Sequence, residues 1–245
     1  MKYFLDPRLL IGETAAFGWF ILKDLSFLAI LPLIPVGVLF CFIPKIDSAR
    51  LKWLNVILMA AAAVIGAGVV SRGLFEGKGW IMLLCLLLAA GLLAVDLPKR
   101  ELARISGWWA AAFLVIFAAM FLATLPGIRM RDTLPSAGGW VDILIFYLLA
   151  LAEPFSLGKE YRGAPLLLGI LLVPFGLAAF LAMGEGAFAL AEYPYLSVWS
   201  GVAVFSFHHT EGIILGLYYG MTALRMAHFF VEFQKFHCKQ ARPVI

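Results

Sequence analysis

Residues 53–71 read WLNVILMAAAAVIGAGVVS, with no ionisable side chain among them. Wound as an α-helix at about 1.5 Å per residue, the run is about 28 Å long, close to the roughly 30 Å hydrocarbon thickness of a bilayer. Working outward, seven further apolar runs appear, at about 9–22, 25–44, 80–96, 105–125, 138–156, 164–187 and 211–231, separated by charges and by proline or glycine. The whole chain of 245 residues is 63% hydrophobic and only 14% charged, with a mean hydropathy of +0.97. Soluble domains carry about 45–50% apolar and about 25% charged residues, so this composition cannot cover a water-facing surface. The expectation is an all-α, polytopic transmembrane bundle of about eight helices forming one integral membrane domain over residues 1–245. No soluble domain, long linker, low-complexity tract or short-period repeat interrupts it.

The first run is the weak one. Fourteen residues make about 21 Å of helix, too short for a span, and the run contains Gly12, Glu13 and Gly18. A broken or re-entrant helix explains this, as does an interfacial stub or a tilted helix with snorkelling ends.

Basic residues sort by side. Lys2, Arg8, Lys45, Arg50, Lys52, Lys99, Arg100, Arg104, Lys159, Arg162, Lys235, Lys239 and Arg242 fall on one side, and Lys23, Arg72, Lys78, Arg129 and Arg131 on the other, a split of 13 to 5. The positive-inside rule then places both termini in the cytoplasm. If the first run only dips into the bilayer, Lys2 and Arg8 change sides and the split becomes 11 to 7 with the same sign. A net charge of +4 without a long basic run argues against nucleic acid as a partner. Cys41, Cys85 and Cys238 are scattered and odd in number, so neither a disulfide framework nor a thiolate metal site is expected. Asp6, Arg8 and Glu13 near the start, without a small-residue cleavage site, argue against a removable signal peptide.

An ionisable group at membrane depth costs several kcal/mol unless it meets a partner or a cavity, so each is a candidate. Glu13, Asp142, Glu185, Glu211 and Arg225 are the main ones. Glu13 lies between Gly12 and Gly18, where a short helix end can present backbone groups to a ligand; an interfacial carboxylate is the plainer reading. Asp142 follows Gly138, Gly139 and Trp140 at the opening of the sixth run, where free N–H groups beside a carboxylate suit a zwitterionic amino acid and where simple N-terminal capping is the rival reading. Glu153 and Pro154 close that run. Glu211, Tyr218 and Arg225 recur at intervals of seven and share one helical stripe, to serve as a polar path or as a structural network with neighbouring helices. His208, His209, His228 and His237 all lie at or near one helix, which argues against bis-histidine haem, and no cofactor or metal is expected. Gly66 and Gly68, Gly169 and Gly176, and the row Gly212, Gly216 and Gly220 are read as helix-packing positions. Phosphate loops, nucleophile elbows and zinc spacings are missing from the sequence, so nothing in it points to an enzyme.

The order of these features resembles the spore-germination permease family, the membrane B subunits of germinant receptors, which branch from the amino acid, polyamine and organocation transporter superfamily. Tyr193-Pro194-Tyr195-Leu196 followed by Glu211, Tyr218 and Arg225 is similar to the family's Tyr-Pro-x-Leu, glutamate, aromatic and basic residue, where the aromatic is usually Trp and the base usually Lys. Leu102-Ala103-Arg104-Ile105-Ser106, Leu125-Pro126, Leu134-Pro135, Trp140-Val141-Asp142, Lys23-Asp24 and Leu51-Lys52-Trp53-Leu54 fall in the family's order over some 200 residues. The chain departs from it at His208-His209-Thr210-Glu211, where the family has an arginine before the glutamate, at Trp199, where arginine is common, and in ending its match at the eighth of ten helices.

The resemblance implies a truncated inverted-repeat (LeuT-like) architecture with first and sixth helices broken around a ligand near the midplane. It implies a permease-like subunit that binds a small ligand such as an amino acid at Gly12, Glu13, Gly18, Gly138, Gly139 and Asp142 and signals germination, together with other membrane or lipoprotein subunits, in a bacterial cell or spore inner membrane. Alternatives are an amino-acid, water or ion transporter of the same superfamily, and a structural subunit of a membrane complex.

Overall fold

The computed structural model describes residues 6–42, 52–74, 78–128, 139–157, 161–184, 187–188, 191, 194–201 and 211–240, with backbone alone for 52, 73–74, 156 and 232–240. The described residues are helical, with no strand among them. Each of the eight apolar runs falls on helix. A 3-10 segment, Pro7–Glu13, leads into α1 (Thr14–Lys23); α2 (Phe27–Ile30) and α3 (Leu33–Phe40) follow, then α4 (Lys52–Leu74), α5 (Gly79–Asp96) and α6 (Lys99–Thr124, extended by a 3-10 turn to Gly127). The second half holds α7 (Trp140–Leu157), α8 (Ala164–Met183), α9 (Pro194–Gly201) and α10 (Glu211–Gln240). Five of these helices, over Trp53–Arg72, Gly79–Asp96, Lys99–Gly127, Ala164–Met183 and Glu211–Val231, are long and apolar enough to cross a membrane.

The exterior is apolar and the centre holds the charge. Leu88, Leu92 and Val95 on α5, Trp108, Val115 and Leu122 on α6, and Leu144 and Leu148 on α7 are exposed. Glu13, Thr14, Glu153, Thr222 and Arg225 are buried. That inversion fits lipid as the solvent: exposed apolar surface on this scale would drive aggregation in water, and lipid tails accept it without penalty. The chain is an integral membrane protein by this criterion.

The first run gains its length by changing helix type. Asp6 accepts a hydrogen bond from the Arg8 N–H and Pro7 fixes the first φ, so the 3-10 winding starts cleanly. Seven residues at about 2.0 Å and ten at about 1.5 Å make about 29 Å of helical contour, against about 21 Å for the α-helix expected over 9–22. Glu13, at φ −128 and ψ 16, interrupts the helical path between the two windings. The second run is interrupted as well, between α2 and α3 at Leu31 and Pro32. The interruption expected in the sixth run does not fall within Trp140–Leu157, which is one α-helix with Pro154 inside its last turns. Gly138, where that interruption was expected to open, lies outside the described residues, as do Glu185, His208 and His209.

The 3-10 segment packs on α6, α7 and α8, while α1 packs on α4 and α7 and α10 on α4, α5 and α6. The first run is therefore enclosed by the longer helices, and Leu9, Leu10, Ile11, Ala15, Ala16 and Phe20 are buried along it.

Candidate functional site

The change of winding at Glu13 and Thr14 is where the buried polar groups converge. The Glu153 carboxylate, from α7, accepts from the Ala15 N–H at Oε2 (3.1 Å) and from the Thr14 hydroxyl at Oε1 (3.3 Å). An α-helix leaves its first N–H groups without intrahelical acceptors, so a carboxylate at the start of α1 satisfies an orphan donor and faces the positive end of the dipole. Arg225, from α10, brings Nε to 3.4 Å from Glu153 Oε1, with the two side chains 1% and 0% exposed. Its Nη2 donates to Asn55 Oδ1 on α4 at 3.0 Å. Tyr218, two turns earlier on α10, donates its hydroxyl to the Thr14 carbonyl at 2.9 Å. Four elements thus hold the junction by polar contacts: α7 through Glu153, α10 through Arg225 and Tyr218, α4 through Asn55, and α1 itself.

Glu13 differs from Glu153, both of whose carboxyl oxygens accept hydrogen bonds. Its side chain is 0% exposed and neither carboxyl oxygen has a hydrogen-bond partner. It lies near enough to Glu153 for the two carboxyl groups to interact. A carboxylate enclosed without a partner is among the costliest arrangements in a protein interior, since burial removes hydration and nothing here replaces it.

The glycines around the junction are there for contact. A Cβ on Gly12 would lie 3.0 Å from Tyr161 Cδ1 and 3.1 Å from Leu157 Cδ1. One on Gly18 would overlap the Tyr218 hydroxyl and stand 2.6 Å from Ile65 Cγ2. Gly18 is therefore what lets Tyr218 reach the backbone of α1.

The structure brings Gly12, Glu13, Gly18, Tyr218 and Arg225 to one place and leaves Gly139, Asp142 and Glu211 outside it. Asp142 sits at the far end of α7, paired with Lys23 at 3.4 Å, while the Trp19 indole donates to its carbonyl at 3.1 Å. A Cβ on Gly139 would meet only the Asp142 carboxylate, at 3.3 Å. Glu211 opens α10, about 21 Å of helix from Arg225. Glu153, Asn55 and Thr14 complete the junction and were not among the expected site residues. Glu153 is an ionisable residue within an apolar run, the signal that singled out Arg225, but Pro154 beside it reads as the end of that run.

A second group of contacts ties down the other end of α1. Asp24 ends that helix in the left-handed region at φ 48, and the Arg72 guanidinium donates to the Leu22 carbonyl at 3.1 Å. Burial pushes the Asp24 carboxyl up to about 7, with the nearby Arg72 charge opposing the shift. Tyr195, of the Tyr-Pro-x-Leu stretch, donates to the Leu25 carbonyl at 2.6 Å and lies at 4.4 Å from the Phe20 ring. Trp199, one turn on, is buried and stacks on Phe175 at 5.3 Å. The hydroxyls of Tyr218 and Tyr195 thus hold the main chain at Thr14, the first residue of α1, and at Leu25, just beyond its last turn. His228, on α10, lies 2.9 Å from the Ser106 hydroxyl of α6.

No protein-family model, curated protein or solved structure matches the chain.

Proposed function

We propose that the chain is a permease-like membrane subunit that binds a small ligand carrying an ammonium group, an amino acid in the first instance, at the junction between the 3-10 segment and α1. One observation carries the reading: Glu13, fully enclosed and without a hydrogen-bond partner, stands where the helix changes its winding beside the buried Glu153–Arg225 ion pair. An ammonium would supply the missing partner with a charge-assisted hydrogen bond, while the junction backbone yields locally to admit it. The ordered motif resemblance supports the same reading and extends it to a germinant-receptor B subunit that signals spore germination with partner subunits, both termini in the cytoplasm.

Glu13→Gln is the sharpest test, because it keeps the shape and removes the acid group that would pair with an ammonium. Binding of candidate amino acids to the protein in lipid nanodiscs should weaken by about 2–5 kcal/mol, at least about thirtyfold in affinity. Unchanged affinity in the variant refutes the site. Flux of the same amino acid into liposomes holding this chain alone would move the reading from receptor subunit to autonomous transporter. The full engagement of both Glu153 oxygens favours a second reading, a structural subunit whose charges serve helix-to-helix pairing. Under that reading Glu13→Gln changes thermal stability and no amino acid binds.

A further inference from the structure

At the membrane surface near the start of α6, a cleft of about 320 Å³ is lined by Pro7, Arg8, Ala103, Arg104, Gly107 and Trp108. Its volume is that of a small-molecule site, generally about 300–1,000 Å³. Two features set its level in the bilayer. α6 with its 3-10 extension runs from Lys99 to Gly127, and 29 residues make about 43 Å of helix, longer than the hydrocarbon layer is thick. All the charges of α6 lie in its first turns, at Lys99, Arg100, Glu101 and Arg104, so these stand at headgroup level, and Trp108 one turn deeper is in the interfacial belt that tryptophan favours.

The cleft combines charge and grease in the order a phospholipid presents them. Arg8 lays its stem over Gly107, where an added Cβ would make an ordinary contact 3.5 Å from Arg8 Cγ. Arg104 is the second cation, with its side chain 70% exposed and only a 3.8 Å contact to Glu101. Arg8 is engaged by Asp6, yet the cations Arg8, Lys99, Arg100 and Arg104 still outnumber the three carboxylates of these two elements, Asp6, Glu101 and, at the far end of the 3-10 segment, Glu13. Below the arginines, Trp108, Val115 and Leu122 follow at intervals of seven and are all exposed, one apolar stripe descending the outer face of α6.

We infer that this cleft is a binding site for an anionic phospholipid, its phosphate between Arg8 and Arg104, its glycerol region against Trp108 and an acyl chain along Val115 and Leu122. Arginine suits the role, since its planar fork grips phosphate oxygens and stays charged at any physiological pH. A zwitterionic lipid offers the same phosphate but adds a choline cation beside two guanidinium groups.

The test is quenching of tryptophan fluorescence by brominated acyl chains in vesicles of phosphatidylcholine containing a small fraction of brominated phosphatidylglycerol, against the same fraction of brominated phosphatidylcholine. Trp108→Phe identifies the share of signal that comes from the cleft. The wild type should prefer the anionic lipid, and each of Arg8→Gln and Arg104→Gln should reduce the preference about fivefold, as expected for about 1 kcal/mol per arginine near a charged surface. Arg104 is well exposed, so its variant folds and keeps the test open if Arg8→Gln does not. Equal quenching by the two lipids, or a preference untouched by both substitutions, overturns the proposal. Displacement of the brominated phosphatidylglycerol by millimolar glycerol 3-phosphate in the buffer also overturns it, because the cleft is then a site for a soluble phosphate.

Discussion

Arg225 faces Glu153 across the bundle with Nε 3.4 Å from Oε1, and both side chains are withdrawn from the surface. Such a pair contributes little net stability against a well-packed apolar substitute, but removal of one partner strands a buried charge. Glu153→Ala and Arg225→Ala are each expected to cost about 3–5 kcal/mol. The double replacement Glu153→Leu with Arg225→Met should cost markedly less than the two alanine losses together. Thermal unfolding in detergent gives the comparison, and additive losses would show that the two charges are held by other groups.

Gly18 and Tyr218 are matched to one another. Gly18→Ala puts a methyl group onto the Tyr218 hydroxyl and within 2.6 Å of Ile65 Cγ2, so overpacking should cost about 1–3 kcal/mol and break the bond to the Thr14 carbonyl. In a Tyr218→Phe background the hydroxyl is gone and the added cost of Gly18→Ala should fall by about half, the Ile65 contact remaining. Equal cost in both backgrounds would mean that Ile65 alone sets the limit.

Two members of the glycine row on α10 should behave differently. A Cβ on Gly220 would overlap the Trp109 ring, whose Nε1 donates to the Leu217 carbonyl at 2.8 Å, whereas nothing lies within 4 Å of one on Gly216. Gly220→Ala is expected to displace the indole, lower the unfolding temperature and shift the tryptophan emission. Gly216→Ala should be neutral or gain up to about 1 kcal/mol from the better helix former. The same loss in both would contradict this packing.

Asp24 gives the protein a pH dependence of known sign. Its carboxyl stands at about 7 in the folded chain against 3.8 as the ordinary value, because burial disfavours the charge and Arg72 only partly compensates. The folded state holds this proton more tightly, so its contribution is complete below about pH 4 and is lost as the pH rises through about 7. Asp24→Asn keeps a residue that tolerates the left-handed conformation and removes the titration. The variant should unfold at a higher temperature than the wild type at pH 8, with the difference shrinking at pH 5; a difference that stays constant between the two would rule out Asp24 as its source.

The apolar runs were legible because lipid imposes a simple demand, enough apolar length to cross; each run meets helix, and five of the helices are long and apolar enough to cross a membrane. The weakness of the first run was legible for the same reason: Gly12, Glu13 and Gly18 in a segment too short for an α-helical span. What replaced the missing length, a 3-10 winding opened by Asp6 and Pro7, depends on the enclosure of Leu9, Leu10 and Ile11 by α6, α7 and α8 and has no local signature beyond that cap. In the site, Arg225 and Tyr218 stood out as polar groups in an apolar helix. Glu153 was hidden by Pro154, which reads as a terminator yet lies within α7, and its pairing with a residue 72 positions later is a matter of tertiary distance that spacing along the chain does not encode. Asp142 carried the stronger local pattern, with its glycines and its place at a helix start, but that end of α7 meets Lys23 and Trp19 at the outer end of α1.

The 3-10 winding of Pro7–Glu13 also behaves as a screw thread. Each residue there advances about 2.0 Å and turns about 120°, against about 1.5 Å and 100° in an α-helix. Recoiling the same seven residues to the finer α-helical thread would draw Glu13 about 3.5 Å toward Pro7 and rotate it by about 140° relative to that end. Axial travel and rotation are locked in a fixed ratio by the backbone, so no displacement of the Glu13 carboxyl along the bundle by this route is possible without also swinging it to a different wall of helices.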